Sequence, residues 1–150
     1  MFSFYLLLKF IHILAAITAV GANITYGVWN ARVGRDTSHT AFALKGIKFI
    51  DDRVANPSYG VVLITGLIMV FAGSWGFKLW IVLALILFAV VAAMAVVYSL
   101  SLRNQVRLAV SGDITSSEYM RLDRRAMIFG IGTGVGVALI LVMMVFKPTL

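Results

Sequence analysis

Residues 79–102 read LWIVLALILFAVVAAMAVVYSLSL, 24 consecutive positions without an Asp, Glu, Lys, Arg or His. A helix needs about 20 predominantly apolar residues to cross the hydrocarbon core of a bilayer, and this run supplies them. Three more stretches of similar length flank it, roughly Phe4 to Trp29, Pro57 to Phe77 and Ala126 to Phe146. Together the four runs occupy most of a 150-residue chain, which predicts an all-α protein: a four-transmembrane-helix bundle forming one domain over residues 1–150.

Composition points the same way. Apolar residues make up 61% of the chain and the mean hydropathy is +0.99, above the apolar share of about 45–50% usual in soluble domains. Cysteine is absent, so disulfides, thiolate metal sites, iron–sulfur clusters and cysteine nucleophiles are excluded together.

The formal charge of +7 is set by where the basic residues fall. Arg32, Arg35, Lys45, Lys48 and Arg53 lie between the first and second apolar runs; Arg103, Arg107, Arg121, Arg124 and Arg125 lie between the third and fourth. With four spans these two loops share one side of the membrane, leaving Lys9, Lys78 and Lys147 for the other. The positive-inside rule then makes both loops cytoplasmic and both termini extracytoplasmic. The charge thus orients the chain and favours anionic headgroups, and a nucleic-acid role is not expected. No basic segment precedes the first apolar run, and that run is longer than an ordinary signal-peptide core, so it is expected to stay as a helix. The localisation that fits is the plasma (inner) membrane of a bacterium.

Local signals mark the helix ends. Pro57 suits a first helical turn, with Asn56 as its cap. Gly73-Ser74-Trp75-Gly76 predicts a short turn, with Trp75, Trp80 and Lys78 at one membrane interface and Tyr26 and Trp29 at the other. In the first loop, Lys45, Lys48 and Asp52 recur at helical spacing beside Phe42, Leu44, Ile47, Phe49 and Ile50, which predicts a short interfacial helix lying on the membrane. Ser111-Gly112-Asp113 reads as a turn, and Thr115 with Glu118 has capping-box spacing, so the last helix should begin near Ser116. Gly130 with Gly134 and Gly132 with Gly136 are two small-xxx-small pairs, which predict close helix contact on two faces. The same glycine run lacks the strand and polar setting of a dinucleotide-binding loop.

Chemistry concentrates on the first helix. At 100° per residue, Tyr5, Lys9, Ala16, Ala19, Asn23, Tyr26 and Gly27 fall within about 60° of His12, and polar groups inside a span normally face the bundle interior. His12 sits about 12 Å from the helix start. There an imidazole can ligate a metal or haem, carry a proton, or brace two helices. Ala15, Ala16 and Ala19 leave room beside it. Lys9 either snorkels to the surface or meets an anionic group of a ligand. Met69, Met143 and Met144 are candidate thioether ligands at similar depth, whereas His39 lies in a loop at the wrong depth. Asp51, Asp52 and Arg53 read as interfacial ion pairs rather than an acid–base dyad.

Lys9-Phe10-Ile11-His12, Arg53 followed by Pro57 and then Thr65-Gly66-Leu67, and Lys78-Leu79 with Val82 resemble the pattern of a bacterial group of small membrane proteins. That group includes the HemJ-type protoporphyrinogen oxidases and the copper-resistance D proteins. The chain is most similar to a branch of it described as predicted integral membrane proteins of four helices. The resemblance implies a bundle with a b-type haem or copper-related role, in which His12 matches the helix-one histidine. Ala19 replaces a Trp usual in the HemJ type, and the third helix lacks the histidine carried there near a Tyr, which departs from bis-histidine ligation.

The leading expectation is therefore a redox or haem-handling protein with haem b held by His12, the metal ligand, and with Lys9, Asn23 and Tyr26 as further cofactor-binding residues. An accessory subunit of a larger respiratory or photosynthetic complex is the alternative, and either form is compatible with a homo-oligomer. A small transporter is the least supported, because ionisable groups at mid-membrane occur on the first helix alone.

Overall fold

The computed structural model describes residues 3–33, 37–73 and 76–148. Helix α1 spans Phe4–Val33, and a 3-10 turn at Thr37–His39 leads into α2, Thr40–Ile50. A π-helical turn, Asp51–Ala55, joins α2 to α3, Asn56–Ala72; α4 spans Leu79–Val110 and α5 spans Ser117–Phe146. Four helical stretches are long and apolar enough to cross a membrane. Phe42, Phe71 and Phe146 are each more than two thirds exposed, a surface that lipid accommodates and water does not.

The expected helix in the first loop is present, but it is not a separate interfacial helix: it runs without a break into the second span and packs into the bundle core. Its Leu44 and Ile47 pack inward while Phe42, Lys45 and Phe49 face out. Asn56 is not a cap: its φ of −59° and ψ of −45° are helical. Pro57 has no N–H and its ring crowds the carbonyl four residues back, so a helix that continues past it must loosen there, and the π-helical turn does this. At the other junction the cap is Ser116 rather than Thr115. Ser116 Oγ accepts from the Tyr119 N–H at 3.1 Å, and Glu118 sits in the first turn, where a negative charge suits the helix dipole. Gly112 adopts a φ of +81° in the expected turn, and Gly76 a φ of +65° in the turn before α4. Trp75, expected at the interface, and Arg35 lie outside the described residues.

The helices form two pairs, α1 with α3 and α4 with α5, and α2 wedges against both α1 and α4. Ile47 of α2 is 0% exposed and Leu102 of α4 is 1% exposed. They belong to a core that also contains Ala22, Tyr26, Ala55, Tyr98 and Tyr119, all toward the end of the bundle that carries the long loops. In α5, a Cβ on Gly132 would lie 2.1 Å from Met94 Cε, and one on Gly136 2.4 Å from Val91 Cγ2. Those glycines admit α4 closely. A Cβ on Gly134 meets nothing within 4 Å. The expected two-sided contact is thus one-sided, because α5 packs along α4 and presents Gly134 to open space. Gln105, fully buried, donates to Asp123 at 3.0 Å and ties the same pair.

Candidate functional site

Dense packing at the loop end contrasts with the opposite end, where the termini lie. There the two helix pairs separate around a cavity of about 700 Å³ lined by all four spans, within the range of small-molecule and cofactor sites. Its wall includes Tyr5, Lys9, His12 and Ala16 from α1, Gly66 and Met69 from α3, Trp80, Ala84 and Phe88 from α4, and Met144 and Lys147 near the end of the chain.

His12 is held in one orientation. Thr65 Oγ1 donates to the Val61 carbonyl at 2.6 Å, so its single proton is committed to the backbone and its lone pairs are left to accept. The His12 ring nitrogen Nδ1 lies 2.9 Å from that oxygen, and with the Thr65 proton on the Val61 carbonyl Nδ1 is the nitrogen that would donate. Nε2 then carries the lone pair. Gly66 makes the approach possible: a Cβ there would come within 3.1 Å of His12 Cε1. A side-chain hydrogen bond that fixes the tautomer is the arrangement a ligating histidine requires.

The mouth of the cavity is cationic. Lys9 is exposed on the face shared with His12. Lys147 ends α5 in a left-handed conformation, φ 43°, with Nζ 5.8 Å above the Trp80 ring, within cation–π range. Trp80 is buried on the cavity wall instead of facing lipid as an interfacial anchor. Among the described residues no three His, Asp or Glu side chains come together to hold a metal ion. Met69 and Met144 share the cavity with His12.

Asn23 and Tyr26 are elsewhere. They lie 11 and 14 residues along α1 from His12, about 16 and 21 Å at 1.5 Å per residue. Asn23 donates to the Tyr59 hydroxyl. Tyr26, expected at the interface, is buried: it stacks on Tyr98 with ring centroids 5.8 Å apart, and its hydroxyl donates to Asp51 at 3.5 Å. Lys48 pairs with both Asp51 and Asp52, but Asp51 is buried, so the pairs run to Lys48 at the edge of the core instead of joining Asp51, Asp52 and Arg53 at the interface. Thr18 and Thr25, the polar exceptions on the other face of α1, donate to the carbonyls of Leu14 and Gly21 and need no partner across the bundle. In the sequence Thr65 and Gly66 stand out through the resemblance, and nothing there places them or Lys147 beside His12. A hydroxyl in mid-span was the available signal for Thr65, but its partner lies 53 residues away.

No curated protein and no solved structure matches the chain. A family model described as "Predicted integral membrane protein (DUF2269)" matches residues 6–148, all four spans included, and the chain therefore belongs to this family of integral membrane proteins.

Proposed function

We propose that this chain binds a b-type haem in the cavity between its two helix pairs, as a haem-handling or redox protein of the HemJ and copper-resistance D type. The observation that carries the reading is the His12–Thr65 bond, which leaves Nε2 as the basic ring nitrogen of a histidine that lines a large apolar cavity. The residues present fit the group. Nε2 of His12 would ligate the iron, Gly66 admits the imidazole, Ala16 on the cavity wall leaves space for a flat ring, and Lys9 and Lys147 would face the propionates. Met69 and Met144, on the same cavity wall, are the thioethers that could serve as a further ligand. Bound haem would supply one-electron chemistry. The chain's own part is to fix the histidine, to surround the ring with apolar side chains and to place cations at the mouth.

A second reading rests on the same bond. His12 and Thr65 join α1 to α3, so the pair can act as a structural brace without a cofactor. Haem-replete expression followed by an absorption spectrum separates the two. Haem binding requires a Soret band in the wild-type protein that His12→Ala abolishes while the bundle stays folded. A colourless wild type, or a His12→Ala variant that keeps the band, leaves the brace.

A further inference from the structure

The loop end holds a polar cluster that the cavity at His12 does not use. Asp51, 5% exposed, opens the π-helical turn, a feature that recurs at functional sites. Its Oδ1 accepts the long 3.5 Å bond from Tyr26. Its Oδ2 is buried without a close hydrogen-bond partner among the described residues; Ser99 offers the carboxylate a hydroxyl, and Lys48 Nζ stands 3.7 Å from Oδ2. Lys48 is already engaged, bonded to Asp52 and donating to Ser99 Oγ at 3.1 Å.

The described groups that face Asp51 are Tyr26 from α1, Lys48 from α2, Tyr59 from α3, Tyr98 and Ser99 from α4, and Asp52 on its own turn. One ammonium therefore serves two carboxylates, and the three phenols are neutral. With both carboxylates ionised the cluster carries one negative charge in excess. Asp52, its side chain 49% exposed, is solvated and holds Lys48 more closely, so the uncompensated charge falls on buried Asp51. Burying a charge with incomplete compensation is unfavourable, and a single proton removes that charge.

We propose that Asp51 is a proton-binding site, which loads and releases one proton at the loop end of the bundle. The step forms one O–H bond at the carboxylate and breaks one in a water-borne hydronium, and release reverses it. A cavity of about 360 Å³ between α3 and α4 is walled in part by Asn56, Tyr59 and Ser99, and the last two also face the carboxylate. Asp51 meets α1 through Tyr26, and Lys48 meets α4 through Ser99. The site thus sits where the two helix pairs are tied together.

The test is a pH titration of the protonated-carboxyl stretch by infrared difference spectroscopy on the full chain in liposomes, with or without haem, so that the result stands apart from the His12 reading. The wild type should show a carboxyl band whose midpoint lies above the ordinary aspartate value of about 3.9, and Asp51→Asn should lose it. Asp52→Asn should lower the midpoint, because Lys48 is then left to Asp51 alone, and Lys48→Met should raise it. These two shifts decide the matter if Asp51→Asn does not fold. A wild-type midpoint at about 3.9, a band that survives in Asp51→Asn, or a midpoint that Asp52→Asn leaves unchanged or raises overturns the proposal.

Discussion

His12 Nδ1 stands 2.9 Å from Thr65 Oγ1 and joins α1 to α3 across 53 residues of chain. Hydrogen bonds between membrane helices average only about 0.6 kcal/mol, so the contact contributes little to holding the bundle together. Its larger effect is on the imidazole, since it decides which nitrogen carries the proton.

Thr65 substitutions therefore separate tautomer control from bracing. If the proposed haem site is right, Thr65→Ser, which keeps the acceptor, should match the wild type in haem affinity. Thr65→Val removes it and should weaken haem affinity by about 10–100-fold, the range for loss of a group that orients a ligating histidine. Haem titration monitored at the Soret band measures this. Equal affinity in the two variants would count against the assigned role of Thr65.

The glycines of α5 should differ among themselves. Gly136→Ala drives a methyl into Val91, a β-branched side chain with little freedom to move, and should cost about 1–3 kcal/mol by overpacking. Gly132→Ala meets the flexible end of Met94 and should cost less. Gly134→Ala, with nothing within 4 Å, should be tolerated, since Ala is also the better helix former. Thermal unfolding in detergent ranks the three, and Gly134→Ala as the most damaging would contradict the packing described.

Tyr98 separates ring from hydroxyl. Its ring stacks on Tyr26 and covers Gly130, while its buried hydroxyl makes no close hydrogen bond among the described residues and faces Asn30. Tyr98→Phe should cost little, about 0–1 kcal/mol, because at most a weak hydrogen bond is lost. Tyr98→Ala should cost about 3–5 kcal/mol, as for other large aromatic truncations. The two melting temperatures check this, and equal losses would show that the hydroxyl is engaged.

The orientation proposed from the basic loops is open to reporter fusions. Fusions after Leu150 should report an extracytoplasmic location and fusions between Arg103 and Arg125 a cytoplasmic one. The reverse pattern would invert the membrane topology while leaving the helix packing as described.

The four spans, the turn at Gly112 and the helix start at Ser116 were legible in the chain because each depends on local composition or on a few adjacent residues. The expectation of a helix in the first loop held for the same reason: Leu44 and Ile47 repeat at helical spacing whatever they pack against. Its continuation through the π-helical turn was not legible, because Pro57 reads as a helix start unless the preceding turn is seen to widen.

The polar stripe on α1 was visible as one face running the length of the helix. The sequence by itself determined that His12, Asn23 and Tyr26 point inward, since 100° per residue needs no partner to compute. Only the tertiary structure divided them, placing His12 against Thr65 and an open cavity, and Tyr26 against Tyr98 and Asp51 in the tight core around α2. The physical reason is that periodicity along one helix is a local property, whereas which helices meet at each depth depends on the packing of small residues and the wedge of α2 between distant segments.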